Sequence, residues 1–275
     1  IGPNDSFCAG SYTVSLLDMG DIWLDGGSLF GVVPKTMWSK RMAPDEHNRL
    51  RLACRGLLLQ STKHTIVVDT GSGVRWSEHE RARYGLASRD VRDAVRAAGV
   101  PLEDVTDVLL THLHFDHAGG AVDENGEAAF PNATYWVQRD ALRWARNPSE
   151  RDAGSFRSDD FEPLMAAGCL SILDGAVAPF PEVSLRISNG HTPGLQIPVI
   201  ANQLVFPADL IPTSEHLRPS WVMAFDLHPG QSAAEKRSLL TEAVQEGWRV
   251  VYEHDPTTAM SRIEMDHSRF ISVCK

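Results

Sequence analysis

No run of about 18 or more apolar residues interrupts this 275-residue chain, so no transmembrane helix and no membrane partner are expected. The opening residues, Ile1-Gly2-Pro3-Asn4-Asp5, have neither the basic nor the apolar region of a signal peptide, which makes the cytoplasm the expected location. Cysteine is scarce. Cys8, Cys54, Cys169 and Cys274 stand far apart without a Cys-x-x-Cys pair, which argues against a thiolate zinc site or redox dithiol and leaves free thiols as the expectation. Positive charge is the minority, 26 Lys and Arg against 36 Asp and Glu, and the net charge of −10 disfavours nucleic acid as a partner. Linkers, repeats and low-complexity segments are missing too. Residues 1–275 therefore read as one domain, with 43% hydrophobic content sufficient for a sizeable core.

What the chain does have is histidine concentrated in one place. His112-Leu113-His114-Phe115-Asp116-His117 packs four strong metal-binding side chains into six residues and runs on into Ala118-Gly119-Gly120. Val105 to Leu110, just before it, reads as a buried strand. If the chain stays extended past Leu110, alternation puts His112 and His114 on the same side, where two imidazoles can share one cation. Asp116 and His117 are neighbours whose side chains diverge, which suits a second ion close by. Imidazole together with carboxylate fits zinc and other first-row divalent metals.

Along the rest of the chain, Ser11 to Leu17 and Asp21 to Leu24 alternate like strands and are expected to form a hairpin before Asp25-Gly26-Gly27. Ser28 to Asn48 loses periodicity, as Gly31, Pro34 and Pro44 interrupt its apolar residues; a lid, a pocket wall or a packed surface loop would each fit. Paired strands are expected at Leu50 to Gln60 and His64 to Val68, the second ending in Asp69-Thr70-Gly71. Ser88 is placed to cap a helix that Gly99 and Pro101 stop. Thr134 to Val137 reads as a strand, Asp140 to Arg146 and Phe161 to Ala167 as helices, and the charged stretch from Asn147 to Asp160 as a solvated excursion. Leu170 to Leu173 and Val183 to Ile187 are expected strands, and the tight turn Gly190-His191-Thr192-Pro193-Gly194 after the second can aim His191. Leu195 to Ile200 and Leu204 to Phe206 form a hairpin ending in Ala208-Asp209. Gln231 to Glu246 is a helix before the strand Arg249 to Tyr252, which runs into Glu253-His254-Asp255-Pro256. This alternation of helix and strand is the rhythm of a layered α/β fold. His191, Asp209 and His254 stand at strand ends, where one sheet edge can bring them to His112, His114, Asp116 and His117. Seven ligands exceed what a single zinc needs.

Taken in order, Thr-His-x-His-x-Asp-His-x-Gly-Gly, Gly-His-Thr-Pro-Gly, Ala-Asp and His-Asp-Pro resemble the metallo-β-lactamase superfamily, as does the strand ending at Asp69; the likeness covers Asp69 to His254. The resemblance implies a four-layer αββα sandwich with the metal site at the sheet edge. It puts His112, His114 and His191 on one ion and Asp116, His117 and His254 on the other, with Asp209 bridging them. Asp69 then holds the histidine loop from behind without binding metal. The implied cofactor is two divalent ions, zinc foremost, with iron, manganese or cobalt as alternatives. The implied chemistry is hydrolysis by a hydroxide shared between the ions, with Asp116 as the catalytic residue that orients it and takes a proton. Ser72, in Gly71-Ser72-Gly73, lacks the Gly-x-Ser-x-Gly frame of a serine nucleophile and reads as a turn residue.

Within the superfamily, the N-acyl homoserine lactone lactonases are similar in the ligand set and in Phe115, but carry a tyrosine three residues after the bridging Asp, where this chain has Pro212. Glyoxalase II enzymes have a long helical C-terminal region, against 21 residues after His254 here. The nuclease branches fit poorly with an acidic chain, and secreted β-lactamases with the missing signal and the full ligand set. Persulfide dioxygenases use fewer of these ligands, and flavodiiron enzymes replace one histidine with a carboxylate. The expected function is a dinuclear metal-dependent hydrolase of a small lactone or ester. Organophosphate (phosphotriester) hydrolysis is the alternative, and a metal-dependent oxidoreductase of the same fold a lesser one. A small molecule is the expected partner, and a homodimer is compatible with the chain. Phe30, Trp38, Phe115, Trp221 and Phe225 are the expected pocket lining. His47, His64, His79 and His267 are expected on the surface, while His216 and His228 lie in loops that can approach the pocket.

Overall fold

The computed structural model describes residues 6–273; Cys274 and the opening Ile1–Asp5, on which expectations above rest, lie outside the described residues. Apolar alternation in the first quarter of the chain builds an antiparallel ladder. β1 (Ser6–Ala9) turns back into β2 (Tyr12–Asp25), β2 pairs with β3 (Arg49–Gln60), and β3 with β4 (Thr65–Val68). β2 is one 14-residue strand where a hairpin was expected. Its register shifts between Asp18 and Asp21, and Gly20, at φ 98°, lets the backbone bulge there instead of turning. The short β5 (Ala87–Ser88) pairs at this bulge so closely that a Cβ on Gly20 would stand 2.1 Å from the Ala87 carbonyl oxygen.

The aperiodic stretch between β2 and β3 folds into two short helices, α1 (Gly26–Phe30), capped by the Asp25 side chain, and α2 (Lys35–Trp38). A Ser77–Glu80 capping box opens α3 (Glu78–Tyr84). Asp90, not Ser88, caps α4 (Val91–Ala97), because Ser88 is held in β5 opposite Gly20. The parallel strands β6 (Asp107–Leu109), β7 (Thr134–Gln138) and β8 (Leu170–Leu173) extend the sheet beyond β4. Between β6 and β7 lies α5 (Phe115–Ala118), and between β7 and β8 lie α6 (Arg139–Arg146) and α7 (Glu162–Ala166).

The second sheet contains β9 (Val183–Ser188), β10 (Leu195–Ile200), β11 (Leu204–Val205), β12 (Arg249–Val251), β13 (Met260–Asp266) and β14 (Arg269–Val273), in the spatial order β14-β13-β12-β11-β10-β9. The parallel crossover from β11 to β12 carries α8 (Pro229–Glu246). β13 and β14 went unread in the sequence because they form one margin of the sheet and bury few side chains, so their alternation is faint. Three apolar layers hold the assembly together. Val14, Leu57, Leu59 and Ile66 of the first sheet meet Val183, Leu185, Ile200 and Leu204 of the second. On the opposite face of the first sheet, Leu52, Leu58 and Val67 pack with Val91 and Val95 of α4 and Leu142 of α6. The outer face of the second sheet sets Ile197, Val199 and Val250 against Leu239, Leu240 and Ala243 of α8. The order is therefore helix, sheet, sheet, helix, as expected. Among the described residues no helix is long and apolar enough to cross a membrane.

Candidate metal centre

Strand ends from both sheets meet at one edge. Past β6 the chain bends at Thr111 and again at His114, and His112 Nε2 comes to lie 3.0 Å from His114 Nδ1. α5 then begins, and its helical step of roughly 100° swings Asp116 and His117 toward the same centre, where an extended chain would have parted them. His117 Nε2 is 3.8 Å from Asp116 Oδ1. The helix ends against the loop after β4, and a Cβ on Gly120 would stand 2.2 Å from the Thr70 carbonyl oxygen, so no side chain fits there. Asp69 follows β4 at a left-handed φ of 58°. It accepts from Thr111 N and from Thr111 Oγ1, both at 2.7 Å, and lies 3.0 Å from His117 Nδ1. One buried carboxylate thus holds both ends of the histidine motif.

The later histidines are fixed as firmly. His191 follows β9 and places Nδ1 2.8 Å from Asp226 Oδ1. Glu235 of α8 accepts from Ser188 Oγ and from the amides of Asn189 and Gly190, which sets the turn. His254 follows β12, and its Nδ1 is 2.7 Å from the Ala53 carbonyl of β3. Arg55, from the same strand, donates to the carbonyls of Tyr252, Glu253 and Asp255 around it. Asp226, Glu235 and Arg55 escaped the sequence reading because none has a local pattern. Each is joined to its partner only by the fold.

Four rings share one orientation. The Nδ1 atoms of His112, His117, His191 and His254 face Thr111 Oγ1, Asp69, Asp226 and the Ala53 carbonyl, so their Nε2 atoms are left to the centre. His114 is turned round, with Nδ1 3.1 Å from His191 Nε2 and a buried Nε2 that has no hydrogen-bond partner among the described residues. Asp209, in the turn after β11, stands between two sets. Its Oδ2 is 3.1 Å from His191 Nε2 and 3.8 Å from His112 Nε2, while Oδ1 is 3.1 Å from His254 Nε2. His112, His114, His191 and Asp209 form one group and Asp116, His117 and His254 another, the donor atoms within each lying no more than 4.8 Å apart. All seven sequence-predicted ligands are thus brought together, and all are buried.

This donor set fits divalent cations. Ring nitrogens converge to 3.0–3.4 Å of one another with carboxylates beside them, an arrangement in which deprotonated rings can share a cation. Burial, helped by the other imidazoles, drives His112 and His114 well below the usual histidine range. Burial pulls His191 and His254 the same way, but Asp209 outweighs it and holds them up at about 10 and about 9. Burial alone would raise Asp209; the facing His117, His191 and His254 keep it well below the carboxylate range.

A cavity of about 210 Å³ opens over this centre. Phe115 and Phe225 line it, together with Leu24, Leu29, Leu52, Tyr84 and Met223. Phe30, Trp38 and Trp221 do not. Phe30 stacks between Trp38 and His216 and meets the edge of Trp221, which makes a buried aromatic block behind Leu29. His216 belongs to that block, with Nε2 3.0 Å from the Leu29 carbonyl, and His228 is exposed at the start of α8. His47, His79 and His267 are exposed, whereas His64 is half-buried against Asp107.

The stretch from Asn147 to Asp160 is only partly the solvated excursion its charges implied. Arg151, Gly154 and Ser155 form one cavity wall, and Phe156 packs on the His114 ring at 4.7 Å. Two of its carboxylates are buried and paired, while Glu150, Arg151 and Asp159 stay exposed: Asp152 accepts from Trp144 Nε1 and Ser149 Oγ, and Asp160 from Arg75 at 2.6 Å. Asp160 is fully buried, which pushes it up to about 6 against the pull of Arg157 and Arg75. Arg75→Ala should cost on the order of 2–3 kcal/mol of stability, somewhat under the loss for a stripped buried pair, because Arg157 stays 4.0 Å from Asp160. Urea unfolding at pH 7 measures this, and an unchanged midpoint would show that the pair does not anchor the wall.

The model of the Metallo-beta-lactamase superfamily matches residues 51–254, a span that takes in every residue of both groups. The chain belongs to this superfamily. It is similar to the N-acyl homoserine lactonase AttM of Agrobacterium fabrum, at 26% identity over 220 residues, 73% of this chain and 80% of that protein. The crystal structure of a probable metal-dependent hydrolase from Staphylococcus aureus superposes with a TM-score of 0.89 at 28% identity, covering 97% of this chain and 99% of the other. AidC, described as a dizinc quorum-quenching lactonase, superposes with a TM-score of 0.83 over 98% of this chain and 97% of its own, and at 21% identity its likeness shows the superfamily fold alone.

Proposed function

We propose that this member of the superfamily is a dinuclear metal-dependent hydrolase that opens small, moderately apolar lactones or esters. The observation that carries the reading is Asp209, whose two oxygens face histidines of both groups. Two divalent ions, zinc foremost, held by His112, His114, His191, Asp116, His117 and His254 with Asp209 between, would supply Lewis acidity and a water of lowered pKa. Asp116 lines the cavity and is 8% exposed, close enough to solvent to orient a water and take up its proton. Leu24, Leu29, Leu52, Met223 and Phe225 give the substrate an apolar seat, and Arg151, Gly154 and Ser155 form one wall of it.

Pro212 belongs to the framework, since its carbonyl accepts from His254 N at 3.0 Å. It offers the substrate no hydroxyl. Homoserine lactones are therefore expected to be turned over roughly ten- to a hundredfold more slowly than by lactonases with a tyrosine there, the effect of one missing hydrogen bond of about 1 to 3 kcal/mol. kcat/KM should be compared for an acyl homoserine lactone, an aliphatic lactone, an aryl ester, a phosphotriester and a dinucleotide under one metal condition. Preference for the dinucleotide would overturn the small-molecule reading. Full activity on the homoserine lactone would mean that another group holds the carbonyl, and the Tyr84 phenol in the cavity wall is the one to replace by Phe.

A further inference from the structure

His117 has two carboxylates behind it where one would suffice. Its Nδ1 is 3.0 Å from Asp69 Oδ2, and Glu253 Oε1 lies 3.1 Å from the same atom. The ring has one N–H at that position, and Asp69 takes it. Glu253 is 0% exposed, and neither of its oxygens has a hydrogen-bond partner among the described residues. A carboxylate buried in this way is unfavourable on its own, because it gives up hydration and receives no donor in return. The neighbouring carboxylates outside the candidate ligand set are well served: Asp69 has Thr111, and Asp255 has Ser214, Thr257 and Thr258. Glu253 alone among them has only the ring of a candidate ligand in front of it.

We propose that Glu253 is a positioning residue for the second ion, a buried negative charge that strengthens cation binding by Asp116, His117 and His254 at the expense of the metal-free fold. This rests on the two-ion reading above. The chemistry is that of a carboxylate set behind a liganding imidazole, which raises the donor strength of the far nitrogen and adds attraction for the cation. The inference goes beyond Asp69, because Asp69 ties two backbone segments together and serves the fold with or without metal, whereas Glu253 ties nothing. Its position next to His254 in the sequence places it at the strand end that delivers another ligand of the same group.

The test is Glu253→Gln, which keeps the shape and removes the charge. Wild type and variant are loaded with zinc, dialysed against graded concentrations of a chelator, and assayed for zinc per chain, and both are melted in the metal-free state. The variant is expected to release one equivalent at a 10- to 100-fold lower chelator concentration than wild type, to keep the other as wild type does, and to melt no lower than wild type when metal-free. Parallel loss of both equivalents with a lower metal-free melting temperature would assign Glu253 a merely structural role and overturn the proposal. Wild-type retention of both by the variant would overturn it too, and would leave the two-ion reading standing. A wild-type protein that holds a single equivalent would overturn both.

Discussion

Asp116→Asn is expected to lower kcat/KM for a lactone by roughly 10²-fold or more, with the fold intact. The change removes a proton acceptor from the cavity floor, an effect of the size found for general acid–base groups. It also weakens the second group, where Asp116 Oδ2 is 3.8 Å from His254 Nε2. Asn is isosteric, and among the described residues Asp116 makes no hydrogen bond to the framework comparable with those of Asp69, so the circular dichroism spectrum and melting behaviour should match wild type. The assay must be run with metal content measured on the same sample. An unchanged rate with both ions in place would show that Asp116 has no role as acceptor.

Asp209→Ala should be more damaging still. Asp209 is the residue shared by both groups, and its carboxylate is the counter-charge that holds His191 and His254 near 10 and 9. Without it, His112, His114 and His191 lose the carboxylate of their group, and only Asp116 is left beside His117 and His254. Metal content after loading and desalting is expected to fall below that of any variant of a single-group ligand, and turnover to fall by more than the roughly 10²-fold of Asp116→Asn. Retention of full metal content by Asp209→Ala would show that the two groups do not depend on a common carboxylate. His191→Ala is the fitting comparison, since it subtracts from one group alone.

His191, Asp209 and His254 were legible because each follows a strand, and a sheet brings strand ends to one edge whatever lies between them, whereas Asp116 and His117 stood out through the density of donors in their own motif. Alternation also foretold that His112 and His114 would lie together. What the sequence hid is set by distance along the chain. The charges from Asn147 to Asp160 look solvated until Arg75, 85 residues away, is seen to pair with Asp160. Asp226 lies 35 residues past His191, with nothing in the chain between to link them. The aromatic residues misled for a different reason. Composition says that Phe30, Trp38 and Trp221 will be buried, but only the packing of α1 decides that Leu29 meets the cavity while Phe30 faces the Trp38 and His216 rings behind it. Likewise the break in alternation between Leu17 and Asp21 was legible, yet a bulge and a turn share that signal until the pairing partner β5 is placed.

The most direct measurement of the central claim is elemental analysis of the purified protein after loading with zinc and desalting, expressed per chain. A centre built on Asp209 between His112, His114 and His191 on one side and Asp116, His117 and His254 on the other predicts about two equivalents. A firm stoichiometry of one, unchanged in Asp209→Ala, would contradict it.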